Sequence, residues 1–214
     1  MSHIPDDIHE LYEVESFRHA AEILATAYST EFAELLEALR KFRLTKLDIE
    51  TAGGNESEIP KKISRLLRPS GWFETRISGD LIVKLESHGV PDMAGGKHVE
   101  TQTLEQYLDG HKIDYVKNKV AFDLEWNSKD QTFDRDLYAF RTFFESGAIG
   151  VAVLLTRSAD LNPVFQRWGI SKKYGASTTW MGKLLPRLKA GRNGGCPVLA
   201  LGMKPSLITD LEAT

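Results

Sequence analysis

From Lys119 to Asn127 apolar and polar residues alternate without interruption. Val120, Phe122, Leu124 and Trp126 fall on one side of an extended chain, and Lys119, Ala121, Asp123, Glu125 and Asn127 on the other. The apolar row predicts a strand lying on a core. A two-residue turn at Lys117-Asn118 would fold the preceding residues back, pairing Asp114 with Ala121 on the face of Asp123 and Glu125. Diagonal neighbours across such a hairpin lie roughly 7 to 8 Å apart, close enough for three carboxylates to converge on one cation. A solvated hairpin face would show the same alternation. The bulky row behind this one argues for a central strand whose acidic side lines a cleft, where clustered carboxylates need a compensating charge.

The remaining pattern predicts an α/β fold with a mixed central sheet flanked by helices. Two amphipathic N-terminal helices are expected, one through Leu11, Phe17, Ala21, Leu24 and Tyr28, the next through Phe32, Leu35, Leu36, Leu39 and Phe42. A loop from Thr51 leads to Ser57, a cap for a short helix ending at Leu67 that carries Lys61, Lys62, Arg65 and Arg68. Strands over Trp72 to Ile77 and Leu81 to Glu86 are joined around Gly79 and followed by a connection near Gly95-Gly96. Phe133, Leu137, Phe140 and Phe144 mark a helix over Thr132 to Glu145, with Asp134 and Asp136 suited to its first turn. The run Ile149 to Thr156 reads as a strand buried on both faces, so strand, helix, strand implies a parallel crossover. A helix from Ser177 with Met181, Leu184, Leu185 and Leu188 inward is interrupted in extent by Gly182 and Pro186. Pro197 to Met203 gives a further strand.

With 42% hydrophobic and 27% charged residues over 214 positions, the chain can form a single domain with a substantial core. No linker separates a helical N-terminal part, 1–50, from the core at 55–205. No apolar run approaches membrane-spanning length and no basic start with an apolar run marks a secretory signal, so a cytoplasmic protein is expected. The one cysteine, Cys196, excludes internal disulfides and Cys-rich zinc sites, and the six histidines lack ligand spacing. Oxygen ligands, which favour Mg2+, remain.

The net charge of -3 hides a strong asymmetry: residues 1–60 hold thirteen acids against five Lys or Arg, while Leu161 to Thr209 holds eight Lys or Arg and no acid. The second region suits a polyanion, though the two could also simply complement each other within the fold. Within it, Lys172, Lys173 and Tyr174 are candidates for DNA backbone contacts, and Ser177, Thr178 and Thr179 for base edges. Arg192-Asn193, in a Gly-rich loop, carries the side chains suited to guanine and adenine. A capped helix and a solvated turn would explain each of these residues singly.

The stretch Ile113-Asp-Tyr-Val-Lys-Asn-Lys-Val-Ala-Phe-Asp-Leu-Glu-Trp-Asn127 resembles the active-site hairpin of BglII-type and BstYI-type type II restriction endonucleases. Gly71-Trp72 with Glu74 and Arg76 resembles the segment ahead of that hairpin, and the resemblance covers about residues 55 to 205. It implies a P-D...(D/E)-X-K nuclease core, a homodimer, magnesium and cleavage of double-stranded DNA at a short palindromic site, with restriction-modification defence as its setting. It also implies that Asp114 and Asp123 bind metal. The pattern departs at the third position, lysine in the broad superfamily and glutamine in closer relatives, which is Glu125 here as in BamHI-like enzymes. Glu125 is then a metal ligand or a general base, and Lys129, four residues on, a candidate cation near the scissile phosphate. The alternatives are a repair or junction-resolving nuclease of the same fold, a DNA-binding protein without catalysis, and a hydrolase of small phosphates, the last disfavoured by the acid-free basic region.

Overall fold

The computed structural model describes residues 3–51, 57–89 and 96–211. The chain opens with α1 (Asp6–Leu11), β1 (Tyr12–Phe17), α2 (Ala20–Ala27), α3 (Ser29–Lys41), α4 (Lys46–Glu50) and α5 (Glu58–Leu67). Then come β2 (Phe73–His88), β3 (Lys97–Lys117), β4 (Val120–Leu124), α6 (Thr132–Glu145), β5 (Val151–Arg157), α7 (Asn162–Arg167), α8 (Met181–Lys189) and β6 (Val198–Met203). The six strands are hydrogen-bonded in the order β1-β6-β5-β4-β3-β2, a mixed sheet in an α/β fold. Strands β4, β5 and β6 are parallel, whereas β1 and β3 run antiparallel to their neighbours. Helix α6 is the crossover between β4 and β5 that the strand-helix-strand pattern predicts.

Besides the helix expected from Ser177, which begins only at Met181, two elements differ from the sequence expectation. The first amphipathic helix is broken by β1, because Tyr12 to Phe17 also alternates and its pairing with β6, Tyr12 opposite Met203, supplies a full ladder at the sheet edge. Arg18 and His19, both at positive φ (54° and 60°), then turn the chain into α2. The second difference is Gly79, which sits inside one continuous strand β2 instead of joining two. A Cβ there would lie 3.2 Å from Leu108 Cδ1, so this glycine answers a close approach across the ribbon. Of the connection expected near Gly95-Gly96, residues 90–95 lie outside the described residues, as does most of the loop from Thr51.

By contacts the chain divides into two compact units, residues 1–75 with 113–214, and residues 76–112. The smaller is a two-stranded ribbon of β2 and β3. Asp80 accepts from the Gln106 amide at 2.8 Å and Glu86 pairs with Lys97 at 2.9 Å; positions fall on one strand as they rise on the other, so the ribbon is antiparallel.

In the larger unit, Val120, Phe122, Leu124 and Trp126 join one buried cluster with Leu24 of α2 and Phe32, Leu35 and Leu39 of α3. This is the core the alternation of β4 requires. Every residue of β4 is buried, however, because its opposite side is covered too. The buried side of α6 carries Phe133, Asp136, Leu137, Phe140 and Phe143, one residue off the expected Phe144 at its end. Helix α6 packs against α8, and Met181 of α8 lies over Gly202 of β6, where a Cβ would come within 2.5 Å of it.

Candidate active site

The hairpin between β3 and β4 turns at Asn118-Lys119, one residue later than the pattern suggested. Both residues have positive φ, 43° and 67°, as a type I′ turn requires, and Asn is suited to that conformation. The register is Tyr115 opposite Phe122, Val116 opposite Ala121 and Lys117 opposite Val120. Asp114 therefore faces Asp123, not Ala121. Because the turn moved along both strands at once, the parity of the pairing is unchanged and the carboxylates keep a common face. The hairpin is anchored at its turn. Lys117 Nζ donates to Glu34 Oε1 and Oε2 at 2.6 and 2.7 Å and to the Ser70 carbonyl at 2.7 Å, and Trp72 Nε1 donates to Glu34 Oε2 at 2.8 Å.

Beyond Tyr115 and Phe122 side chains replace the main-chain ladder. The Asp114 amide donates to Asp123 Oδ1 at 2.8 Å, and the Leu124 amide to Asp114 Oδ2 at 3.0 Å. Glu125 continues on β4's far side, its amide bonded to the Leu155 carbonyl at 2.9 Å and its carbonyl accepting from Thr156 Oγ1 at 2.7 Å. Helix α6 adds a fourth acid that the sequence reading assigned to the helix terminus: Asp136, 1% exposed, whose carboxylate lies within 4.8 Å of that of Asp123. Its position was legible in principle, since Phe133, Asp136, Phe140 and Phe143 recur at the three- and four-residue spacing of one helix face.

The Arg135 guanidinium faces these acids. Arg135 Nε and Nη2 donate to Asp136 Oδ1 at 3.1 and 3.0 Å, and Nη2 stands 3.7 Å from Glu125 Oε1. This does not offset the crowding of buried negative charge. Burial, then repulsion by Asp114 and Asp136, raises the Asp123 carboxyl well above its usual range. Burial and Asp136 push Glu125 up to about 8, against which Ser128 and Arg135 act. Asp136 is raised to about 6 by burial, with Arg135 opposing. Asp114 stands at the solvent edge of the group as an exposed residue, yet its carboxylate is raised by desolvation on the protein side and by Glu74.

Hard oxygen donors on one face, with Arg135 beside them, fit a divalent cation. Asp123 and Asp136, whose carboxylates lie within 4.8 Å of each other, could share it, with Asp114 and Glu125 beside them. Asp114 and Glu74 also line a cleft of about 1030 Å3, whose walls include Ser64 and Arg68 beside α5 and Asn127, Ser128 and Lys173. Of the basic helix α5, Lys61 and Arg65 are paired with Glu58 and Lys62 with Asp48.

The other candidates are scattered. Lys129 is exposed beyond β4, its backbone bridged to Thr178. Tyr174, expected on DNA, is instead buried: its ring stacks on Phe165 at 4.2 Å and its hydroxyl donates to the Ile49 carbonyl at 2.7 Å. Lys173 Nζ donates to the carbonyls of Ile49 and Thr51 at 2.7 and 2.5 Å, tying two loops together. Thr179 is fully buried, and Thr178 Oγ1 accepts from Arg157 at 2.6 Å while donating to the Gly175 carbonyl. Asn193, 2% exposed, closes its own turn by donating to the Cys196 carbonyl, so it cannot read adenine as placed. Arg192 pairs with Asp134, which also holds Arg187. Only Lys172 and Ser177 of the group are exposed without such engagement in the contacts described. Tyr174, Thr178 and Thr179 are consumed by packing down the segment before α8, whereas Arg192 and Asn193, after α8, are held by Asp134 and by their own turn.

The family model of restriction endonuclease BglII/BglIII matches residues 12–203, from the first residue of β1 to the last of β6. The chain belongs to this family. A search of curated proteins found no match to it. The BglII/BglIII membership makes the protein a DNA-cleaving hydrolase, and the match takes in β1 and the N-terminal helices α2 and α3, which the sequence resemblance left less distinctive. Among the described residues no helix is long and apolar enough to cross a membrane.

Proposed function

We propose that the protein is a magnesium-dependent, site-specific endonuclease that acts as a homodimer on a short palindromic site in double-stranded DNA, in restriction-modification defence in the cytoplasm. The observation that carries this reading is the set of opposed carboxylates at the open end of the β3–β4 hairpin, beside a cleft, in a chain of this family. Asp114 and Asp123 are the principal metal ligands, with Glu125 and Asp136 completing the oxygen set. A magnesium ion bound there would supply Lewis-acid polarisation of the scissile phosphate and help activate the attacking water. The chain's own part is to hold the carboxylates rigidly through the opposing strand's amides and to offer Glu125 as a ligand or as the group that takes the water's proton. Arg68 in the cleft and Lys172, Ser177 and Lys129 on the surface supply phosphate contacts. The nuclease domain spans the whole chain, with 76–112, most of β2 and β3, as an excursion from it.

Incubation with a mapped plasmid, with magnesium or with EDTA, followed by sequencing of the ends, tests this. Discrete fragments that require magnesium and share one palindromic sequence at every end are expected. Scattered nicks, cutting confined to branched or damaged DNA, or cutting in EDTA would reject it.

A further inference from the structure

Arg157 closes β5 and is completely buried, yet no carboxylate is among its partners. Buried guanidinium groups ordinarily pair with an acid, because an uncompensated charge in the interior is costly. Here Nε is shared between the Trp126 and Thr179 carbonyls, both at 3.0 Å, and Nη2 donates to Thr178 Oγ1 at 2.6 Å. The cationic plane rests on the rings of Tyr174 and Phe165, 5.0 and 5.5 Å from their centres. Nη1, also buried, has no hydrogen-bond partner among the described residues. Burial draws the group's pKa down to about 10, which fits a charge kept at a cost.

Its hydrogen-bond partners come from two pieces of chain. Trp126 directly follows Glu125, and residues 174–179 are the segment before α8. Main-chain bonds run the two side by side: the Thr179 amide donates to the Ser128 carbonyl and the Asp130 amide to the Ser177 carbonyl, each at 2.9 Å, around the Lys129–Thr178 bridge. Arg157 sits behind this junction and touches both strands of it. A flexible ammonium could not replace it, since only the planar fork with its fixed donors spans two carbonyls and a hydroxyl at once.

We propose that Arg157 is a positioning residue that locks the segment from Lys172 to Thr179 in fixed register with the acid-bearing strand β4, and thereby sets where the DNA backbone lies relative to Asp123 and Glu125. This rests on the function proposed above. Misplacement of about 1 Å at a reacting centre costs on the order of 100-fold in rate, so loss of the lock should read out as chemistry and fidelity more than as binding.

The test compares wild type with Arg157→Met, which keeps the volume and removes the donors, and Arg157→Lys, which keeps the charge without the fork. Each is mixed in excess with a duplex carrying the mapped cut site, with magnesium. The single-turnover rate constant is read separately from the fraction of enzyme that cuts, along with the ratio of rates on that site and on its single-base variants. Both variants should lose about 100-fold in rate constant and much of their discrimination, with affinity for the same duplex in EDTA unchanged. A purely structural role would lower the cutting fraction alone; variants that retain wild-type rate constant and discrimination overturn the proposal. Should neither variant fold, Thr178→Val, which removes the Nη2 acceptor together with the local hydrogen bond to the Gly175 carbonyl, must show the same loss in smaller measure, and an unchanged rate constant overturns it equally. A wild-type protein that cuts no DNA defeats the functional reading itself, whereas a cutting wild type with equally cutting variants defeats only the role of Arg157.

Discussion

Asp114 and Asp123 clasp each other's strands: the Asp114 amide donates to Asp123 Oδ1 at 2.8 Å, while Asp114 Oδ2 accepts from the amide that follows Asp123 at 3.0 Å. The hairpin thus gives up its main-chain ladder at the one place where two like charges must be held opposite each other. The backbone amides stabilise the ionised forms, and burial and mutual repulsion oppose them.

Asp123→Asn keeps an oxygen that can accept the Asp114 amide but removes a buried charge. The variant should fold, melt no lower than wild type in EDTA at pH 8, and lose cleavage by at least about 100-fold, the scale seen when a group stabilising developing charge is removed. Thermal melts beside a plasmid cleavage assay check both halves. A variant that cuts at the wild-type rate would remove Asp123 from the site.

The metal-free protein should lose stability as pH rises from about 5 to about 8. Glu125 and Asp136 have folded-state pKa values of about 8 and about 6, above the ordinary 4.5 and 3.8. A raised carboxyl contributes stability that is fully present below its unfolded pKa and is lost as pH climbs through its folded one. Asp48, Asp134 and Glu58 are shifted the other way, so their effect falls below this window, under the ordinary carboxylate range. Melting in EDTA should therefore show a falling midpoint, about 2–4 °C for each kcal/mol lost at this chain length. Glu125→Gln should flatten the slope and magnesium should recover the loss at pH 8. A midpoint that is level or rising between pH 5 and pH 8 contradicts the electrostatic account.

Arg135 is the guanidinium set against the cluster, but its side chain is 61% exposed, so solvent screening reduces its worth. Arg135→Ala should cost about 1 kcal/mol or less in EDTA at pH 8 and still less at pH 5, where Asp136 is largely protonated. Urea unfolding at the two pH values gives the comparison, and an equal cost at both would argue that the side chain acts by packing alone.

Lys117→Met leaves the Glu34 carboxylate, only partly exposed, with Trp72 Nε1 as its remaining partner in that network. A loss of about 1–3 kcal/mol is expected, the usual consequence of stranding a hydrogen-bonded charge away from water. At the neighbouring turn position the sign reverses. Lys119→Gly relieves a positive φ of 67° and should stabilise by about 1 kcal/mol, because Asn-Gly is the preferred type I′ pair. Chemical denaturation of the two variants should move the midpoint in opposite directions.

The period-2 alternation from Val120 to Trp126 and the period-3.6 pattern of α6 were enough to specify β4, its buried face, the crossover helix and a common face for Asp114, Asp123 and Glu125, since side-chain direction follows directly from backbone period. The apolar run of β5 and the strand after Pro197 were legible for the same reason. Local pattern could not decide between strand and helix at Tyr12 to Phe17, which only pairing with β6 resolves, nor recognise Asp136 as part of the cluster, because its neighbours there belong to another element. Polar residues are where sequence was least informative. Tyr174, Thr179 and Asn193 carry the functional groups of a DNA-contacting surface, yet the fold turns them inward, Tyr174 and Asn193 donating to main-chain carbonyls and the Thr179 hydroxyl finding no partner among the described residues, and Arg157 at the end of β5 proves to be a buried fork joining two segments. Periodicity fixes which way a side chain points from its own backbone; what it meets there depends on which distant segment is packed against it.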